Sequence, residues 1–427
     1  MTRSIRRRAP FVRALSPLRD FLATESAGAV LIAIGAVAGL VWVNSPWSAS
    51  YESFWSTRVS ISLAGHTLDL DLRHWLNDGL MTFFFFVVGM EIKRELVDGH
   101  LSNRRAAGLP VVAALGGMVV PALIYLVIAG GTAPRGWAIP MATDIALAVG
   151  LLALVGSRLP ETLRPFLLGL AIVDDIGAIL VIAVVYSAGV GWGWLAAAAV
   201  TLLAVIGARW FEVYAVGAYF VLGSILWFSL HEAGVHPTLA GVACGLLAPT
   251  VPRLNSDYVD ASELADVSSA RAVQTTTELA KGSVSVVEWL QHVLHPWTSY
   301  LIVPLFALAN AGIEISAQAA RDALGSPVAW GVFAGLLVGK PLGVVAAALA
   351  SVRAGAADLP DGARRLQVLG IGAAAGIGFT VAIFITELAL TDPAQRAGAK
   401  LAILVASVLS AALSIVVLRG SRRQGTA

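Results

Sequence analysis

Two adjacent carboxylates, Asp174 and Asp175, lie near the middle of a long apolar run. The run covers residues 166–186, reads FLLGLAIVDDIGAILVIAVVY, and contains no other charged residue. Each charge at the centre of a membrane helix costs about 2.5 to 3.5 kcal/mol on insertion scales, so the pair needs a reason. Carboxylate oxygens bind hard cations and also bind protons. A group that holds one or the other, but not both, indicates competition between H⁺ and a cation such as Na⁺.

The two carboxylates need not share one role. Successive residues on a helix point about 100° apart, so one side chain can face a cavity while the other faces a neighbouring helix. The alternative is that both residues only make structural hydrogen bonds at a helix interface.

Two further apolar runs carry compatible groups. In the first, Pro140 interrupts the helix and is followed by Thr143 and Asp144, which would expose a hydroxyl and backbone carbonyls beside a third acid. In the second, Lys340 is a cation in the middle of a predicted span, too deep to reach an interface easily. We predict that Lys340 is a counter-ion for the acids, and a snorkelling or packing role is the alternative.

Glycines crowd another predicted span just before Thr380. They are Gly370, Gly372, Gly376 and Gly378. This density weakens a continuous helix, although close helix packing is an alternative explanation. The spans interrupted by Pro140 and by these glycines are the fourth and the eleventh. One interrupted span in each half indicates a transporter site between inverted repeats, which we place at 108–188 and 329–418.

The composition predicts the surroundings of these groups. The 427 residues are 57% hydrophobic and 13% charged, against about 25% charged in soluble globular proteins. About twelve apolar runs approach the length of a bilayer-spanning helix, so we predict a single all-α polytopic domain over residues 1–427, in contact with membrane lipid. The lone cysteine excludes an internal disulfide, and no cofactor is expected.

The loops predict the orientation. Most of the 29 Lys and Arg residues fall on the side of the N-terminus, including a basic segment at 1–26, so both termini are predicted to be cytoplasmic. A charged loop at 253–295 lies on the same side. The basic residues follow loop position and form no groove or stripe, which argues against nucleic-acid binding.

One outer loop has the pattern of a β-hairpin at 58–72. Val59 and Ile61 alternate with polar residues before the turn, and Leu68 and Leu70 do so after it. Leu63 and Leu72 complete the pattern. The edge of such a hairpin could pair with a second copy, giving a homodimer, or the ribbon could lie alone on the membrane surface.

Seven blocks of this sequence together resemble the NhaA-type sodium/proton antiporters. They are ATDIALA from Ala142, LAIVDDIGAI from Leu170, VGMEIKREL from Val88, HVLHPW from His292, PLFALANAG from Pro304, GKPLG from Gly339 and GIGFTVAIFI from Gly376. The resemblance implies a twelve-helix protein of the bacterial inner membrane, in which the fourth and eleventh spans are unwound and cross. It also implies exchange of cytoplasmic Na⁺ or Li⁺ for external H⁺ by alternating access.

The resemblance assigns roles to the intramembrane residues. It makes Asp175 the principal Na⁺ ligand and proton carrier, with Asp174 binding the ion or pairing with Lys340. Thr143 would line the site. Asp144 would offset the positive N-terminal ends of half-helices, and Lys340 the negative C-terminal ends.

The family is also shut down at acidic pH. The residues that match its pH-sensing blocks are Glu91, Arg94, Glu95, His292 and His295. Just upstream of HVLHPW this chain has Glu288 and Gln291, where the family often has a Lys and an acid nearer the His, which is compatible with a different pH set point. Interfacial salt bridging and loop capping are the alternative roles for all of these.

Other functions fit the residues less well. A cation-coupled solute symporter or a passive channel could use the same carboxylates. An intramembrane aspartyl protease would also bury two Asp residues, but the chain has no GxGD block, so we expect a transporter rather than an enzyme.

Overall fold

A computed structural model of the chain describes residues 27–63, 66–155, 159–187, 189, 191–211, 213, 215–251 and 284–423. The described residues are mostly helical and include one two-stranded sheet, which confirms these parts of the prediction. The basic segment 1–26 and most of the loop 253–295 lie outside them.

The helices and strands follow one another along the chain as short and long pieces. In chain order they are α1 (Ala27–Val43), α2 (Ser48–Trp55), β1 (Arg58–Leu63), β2 (His66–Asp71), α3 (Leu72–His74), α4 (Met81–Val97), α5 (Arg104–Ala129), α6 (Ile145–Val155), α7 (Leu163–Val185), α8 (Trp192–Trp210), α9 (Val216–Glu232), α10 (Leu239–Leu247), α11 (Val286–Trp297), α12 (Val303–Asn310), α13 (Ala317–Gly325), α14 (Pro327–Ala334), α15 (Lys340–Arg353), α16 (Arg365–Ala375), α17 (Phe379–Ala389) and α18 (Pro393–Arg423). The 3₁₀ helices are His100–Ser102 and Pro134–Met141, and the π-helices are Trp75–Leu80, Thr298–Ile302 and Gly335–Gly339.

Several of these helices are suited to a bilayer. In the described part of the chain, six are long and apolar enough to cross a membrane, or up to eight if two bent pairs each count as one span. Large apolar side chains such as Val127 and Val184 are 86% and 78% exposed on them, as expected for surfaces that face lipid. The chain is therefore a multi-pass membrane protein, and the count of twelve stays a prediction.

The structure divides some apolar runs that look continuous in the sequence. The helix α10 has only nine residues, and the eight-residue α12 continues from the π-helix Thr298–Ile302. Such pieces fall short of the roughly 20 residues that a straight span needs, so length alone finds fewer spans than hydropathy.

The predicted hairpin is present. β1 and β2 pair in antiparallel register, with Val59 opposite Leu70. The second strand ends one residue earlier than predicted, because Leu72 begins α3. The Asp71 carboxylate accepts a hydrogen bond from the His74 N–H at 2.7 Å and so caps this short helix.

The helices pack as three groups that share one apolar core. The first group consists of α4, α8, α9 and α10, the second of α1 and α12, and the third of α5, α7 and α14–α18. Phe85 of α4 and Phe306 of α12 both contact Phe384 of α17 in the shared core. Within the third group, α5 and α15 cross where Gly116 and Gly343 face each other, and the opposing backbone leaves no room for a Cβ on either.

Candidate ion-binding site

The first part of the site is the interrupted helix between residues 134 and 155. The 3₁₀ helix Pro134–Met141 ends, residues 142–144 have no helical conformation, and α6 begins at Ile145. Pro140 lacks the backbone N–H that a continuing α-helix would use. Thr143 and Asp144 lie in the interruption and are buried, with 0% and 2% of their surfaces exposed.

The second interruption lies against the first. The helices α16 and α17 are bent by 48° at residues 376–378. The backbone N–H of Asp144 donates to the carbonyl of Ile377 at 2.6 Å, and the Thr143 hydroxyl lies 2.9 Å from the carbonyl of Ala375. Backbone groups that neither helix can satisfy internally are thus satisfied by the other, as a lipid environment requires.

The Asp144 carboxylate caps two helices at once. One oxygen accepts from the Leu147 N–H of α6 at 3.0 Å. The other accepts from the Thr380 N–H at 3.1 Å and from the Thr380 hydroxyl at 2.7 Å, both at the start of α17. The N-terminal ends of helices carry partial positive charge, so a single carboxylate stabilises both.

Lys340 places its ammonium group at the C-terminal end of a helix in the same arrangement, where the partial charge is negative. Its side chain is fully buried, and its ammonium group donates to the carbonyl of Met141, at the C-terminal end of the 3₁₀ helix, and to the Asp174 carboxylate. The π-helix Gly335–Gly339 immediately precedes it. Single π-turns inside α-helices occur often at functional sites.

Asp174 and Asp175 face this centre from α7, with 0% and 7% of their surfaces exposed. One oxygen of Asp174 accepts from Lys340 and from the Thr143 hydroxyl, the latter at 2.6 Å. The Oδ1 atom of each aspartate is buried and has no hydrogen-bond donor among the residues that the structure describes. Such an oxygen is a free acceptor for a cation or a proton.

The charges at the site are unbalanced. Asp175 interacts electrostatically with Asp174, Asp144, Glu91 and Lys340. With Asp175 these groups are four carboxylates and one ammonium group, so the cluster has a net negative charge when all are ionised. A buried excess of negative charge in a medium of low dielectric constant attracts a cation or protons.

Comparisons with known proteins identify the family. The family model described as Na+/H+ antiporter 1 matches residues 19–418. The chain belongs to this Na+/H+ antiporter 1 family. It is 45% identical over 407 residues to the Na(+)/H(+) antiporter NhaA 3 of Frankia alni, covering 94% of this chain and 88% of the relative. The Na(+)/H(+) antiporter NhaA of Oleidesulfovibrio alaskensis is 43% identical over 419 residues, covering 94% and 93%.

The residues that we predicted to sense pH are spread over α4 and α11 and do not form one cluster. Glu91 is half-buried on α4, within electrostatic range of Asp175. Arg94 donates to the Gln291 side chain of α11 at 3.4 Å. Glu95 lies on α4 one turn beyond Glu91.

The two histidines of this set lie on the surface of α11. Both His292 and His295 are exposed, and a ring nitrogen of His295 lies 3.3 Å from the Ser299 hydroxyl. The structure thus brings Glu91 within electrostatic range of the acidic cluster and joins Arg94 to α11, but it does not bring the histidines to the candidate ion-binding site.

Sequence reasoning missed Thr380 as a site residue. It appeared only as the residue that ends the glycine-rich stretch, whereas its hydroxyl and N–H both donate to Asp144. Its position two residues after Gly378 was the available signal, because polar groups in the first turn of a helix commonly bind a capping acid.

Proposed function

We propose that this chain exchanges Na⁺ or Li⁺ for H⁺ at Asp174 and Asp175. The observation that carries the proposal is the pair of buried carboxylate oxygens without a donor, beside Thr143, Asp144 and Lys340. Hard oxygen ligands of this kind suit a small monovalent cation, and the same oxygens bind protons. The two relatives above are named as Na(+)/H(+) antiporters, which supports exchange of Na⁺ for H⁺.

The two aspartates have unequal tasks in this proposal. Both have an unoccupied Oδ1 acceptor, but the other oxygen of Asp174 is held by Lys340 and Thr143, and Asp175 has the greater exposure. Asp175 therefore carries the ion: it releases a proton on one side, binds Na⁺, and is reprotonated after Na⁺ leaves on the other. Asp174 binds the ion in part and pairs with Lys340 for part of the cycle.

Alternating access moves the site between the two sides. Rocking of one helix group against another around these carboxylates would achieve this. We further propose twelve spans, inverted repeats at 108–188 and 329–418, and discontinuous fourth and eleventh spans that cross at 142–144 and 376–378. The bond from Asp144 to Ile377 supports this crossing.

We place the chain in the bacterial inner membrane with both termini in the cytoplasm. The hairpin is then periplasmic and joins two copies as a homodimer. Val59 and Ile61 support this, because they are 40% and 51% exposed on β1 and offer apolar area to a partner strand.

The exchange is proposed to be regulated by pH and to move net charge. Glu91 supports regulation from α4, since its charge acts directly on Asp175. If two protons enter for each Na⁺ that leaves, the membrane potential drives Na⁺ out of the cell. The exchange rate in proteoliposomes, measured with and without an imposed potential, tests this. A rate that does not change with the potential would contradict it.

The exchange itself is tested in everted vesicles that contain a pH-sensitive dye. Addition of Na⁺ or Li⁺ is expected to dissipate an established proton gradient, whereas K⁺ at the same concentration is not. A response that requires an organic solute would indicate a cation-coupled symporter. A proton flux that rises without saturation would indicate a channel, and either result would reject antiport.

A further inference from the structure

Three serines line one face of α18. Ser407, Ser410 and Ser414 are three and four residues apart, a spacing that puts them on one side of a helix. They are 7%, 0% and 0% exposed, and α18 packs against both α16 and α17. The face therefore lies directly behind the interruption at 376–378.

The three hydroxyls differ in their hydrogen bonds. Ser414 donates to the carbonyl of Gly370 on α16 at 2.8 Å. The hydroxyls of Ser407 and Ser410 are buried and have no partner among the described residues. An unpaired buried hydroxyl is unfavourable and calls for a physical explanation.

Several other hydroxyls in the described helices are paired within their own helix, although Ser351 on α15, like Ser407, is not. Thr201, Ser224 and Thr386 each donate to the carbonyl four residues earlier in their own helix, at 2.8 Å. The same local bond is the usual solution for Ser and Thr inside helices. Ser410 does not make this bond, and its hydroxyl oxygen lies against the neighbouring interruption at Gly376.

Ser410 lies against the most crowded point of that interruption. A Cβ placed on Gly376 would be 2.8 Å from the Ser410 hydroxyl oxygen and 2.7 Å from the carbonyl oxygen of Leu336. Leu336 belongs to the π-helix that precedes Lys340. One hydroxyl thus touches the bend between α16 and α17 and lies close to the backbone that leads to the buried cation.

We propose that Ser410 is a positioning residue for the exchange: its hydroxyl donates to a backbone carbonyl at the 376–378 interruption in the cation-bound conformation. A bend of the α16–α17 pair that accompanies binding brings a carbonyl within reach of a hydroxyl that is unpaired before binding. The bond then favours the loaded state. This inference rests on the proposed antiport function and adds a residue, outside the acidic cluster, that sets its cation affinity.

The test compares Ser410→Ala with Ser414→Ala in full-length protein reconstituted into proteoliposomes. Ser410→Ala is expected to raise the KM for Na⁺ about three- to tenfold, the range of one neutral hydrogen bond, without lowering the apparent Tm. Ser414→Ala is expected to lower the apparent Tm and to leave the KM for Na⁺ unchanged, because it leaves the Gly370 carbonyl without its donor. Ser410→Cys leaves no cavity, because sulfur is larger than oxygen, but it donates weakly, so it should raise KM as the alanine does and exclude a cavity as the cause.

Two results would overturn the inference while leaving antiport intact. If Ser410→Ala lowers the apparent Tm and leaves KM unchanged, the hydroxyl has a permanent structural partner. If neither quantity changes, the hydroxyl has no role. Absence of Na⁺-driven proton movement in the unmodified protein, measured in the same experiment, would instead reject the proposed function and this inference together.

Discussion

Replacement of Lys340 by methionine is expected to destabilise the protein strongly. Lys340 and Asp174 are both completely buried, and the ammonium group also binds the Met141 carbonyl. Removal of one partner from a buried ion pair costs about 3 to 5 kcal/mol, because the remaining charge loses its compensation. Methionine has a similar length and no charge, so little of this cost comes from a cavity.

A double-mutant cycle isolates the pair. Apparent Tm values of detergent-solubilised full-length protein, recorded at one scan rate, would be compared for Lys340→Met, Asp174→Asn and the combination. The double variant is expected to lose less than the sum of the single losses, with about 0.5 to 3 kcal/mol of coupling. Arg321→Gln, on the exposed surface of α13, is the control. Additive losses, or a Lys340→Met variant as stable as the unmodified protein, would refute the buried pair.

Three further predictions concern other contacts in the structure. Thr380→Val should lower stability by about 1.5 to 3 kcal/mol, since it removes the 2.7 Å bond to the Asp144 carboxylate; an unchanged apparent Tm would contradict this. Glu387→Gln should lower the apparent Tm by removing the carboxylate that pairs with Lys400 at 2.5 Å, whereas a rise would show that desolvation outweighs the pairing. Replacement of 58–71 by a short flexible linker should convert a dimer to a monomer by mass in detergent, and a persistent dimer would exclude the hairpin as the essential contact.

The hairpin shows what alternation alone can predict. The period-two pattern around Val59 and Leu70 identified both strands, because side chains of a strand alternate between its faces. The pattern continued through Leu72, where the structure begins a helix. That end depends on the Asp71 side chain capping the His74 N–H, a local hydrogen bond that apolar periodicity does not report.

The site shows a different limit. Cost in a bilayer was sufficient to single out Asp144, Asp174 and Lys340, since each is expensive in an apolar run. A counter-ion role for Lys340 followed from the same cost, but the particular partners came only from family resemblance, because they depend on helices that are far apart in sequence. Thr380 and Ser410 were not found as site or positioning residues. A hydroxyl costs little in a helix, and its significance arises from the interruption that it faces.

The π-helices were also not predicted. Gly335–Gly339 reads as part of a continuous apolar span, yet the extra residue in its turn changes which side of the helix Lys340 occupies. Such a turn is stabilised by tertiary packing, here against α5 and α18, and no residue type marks it in the sequence.

Sodium-driven proton movement in proteoliposomes tests the central claim most directly. The unmodified protein, Asp175→Asn and the matched surface variant Asp322→Asn would be reconstituted at equal density and orientation, and internal pH followed after addition of Na⁺. Exchange should persist in the unmodified protein and in Asp322→Asn, and be abolished in Asp175→Asn, because the amide can neither carry the proton nor supply the charge that holds Na⁺. Normal exchange by Asp175→Asn would contradict the assignment of Asp175 as the residue that carries the ion.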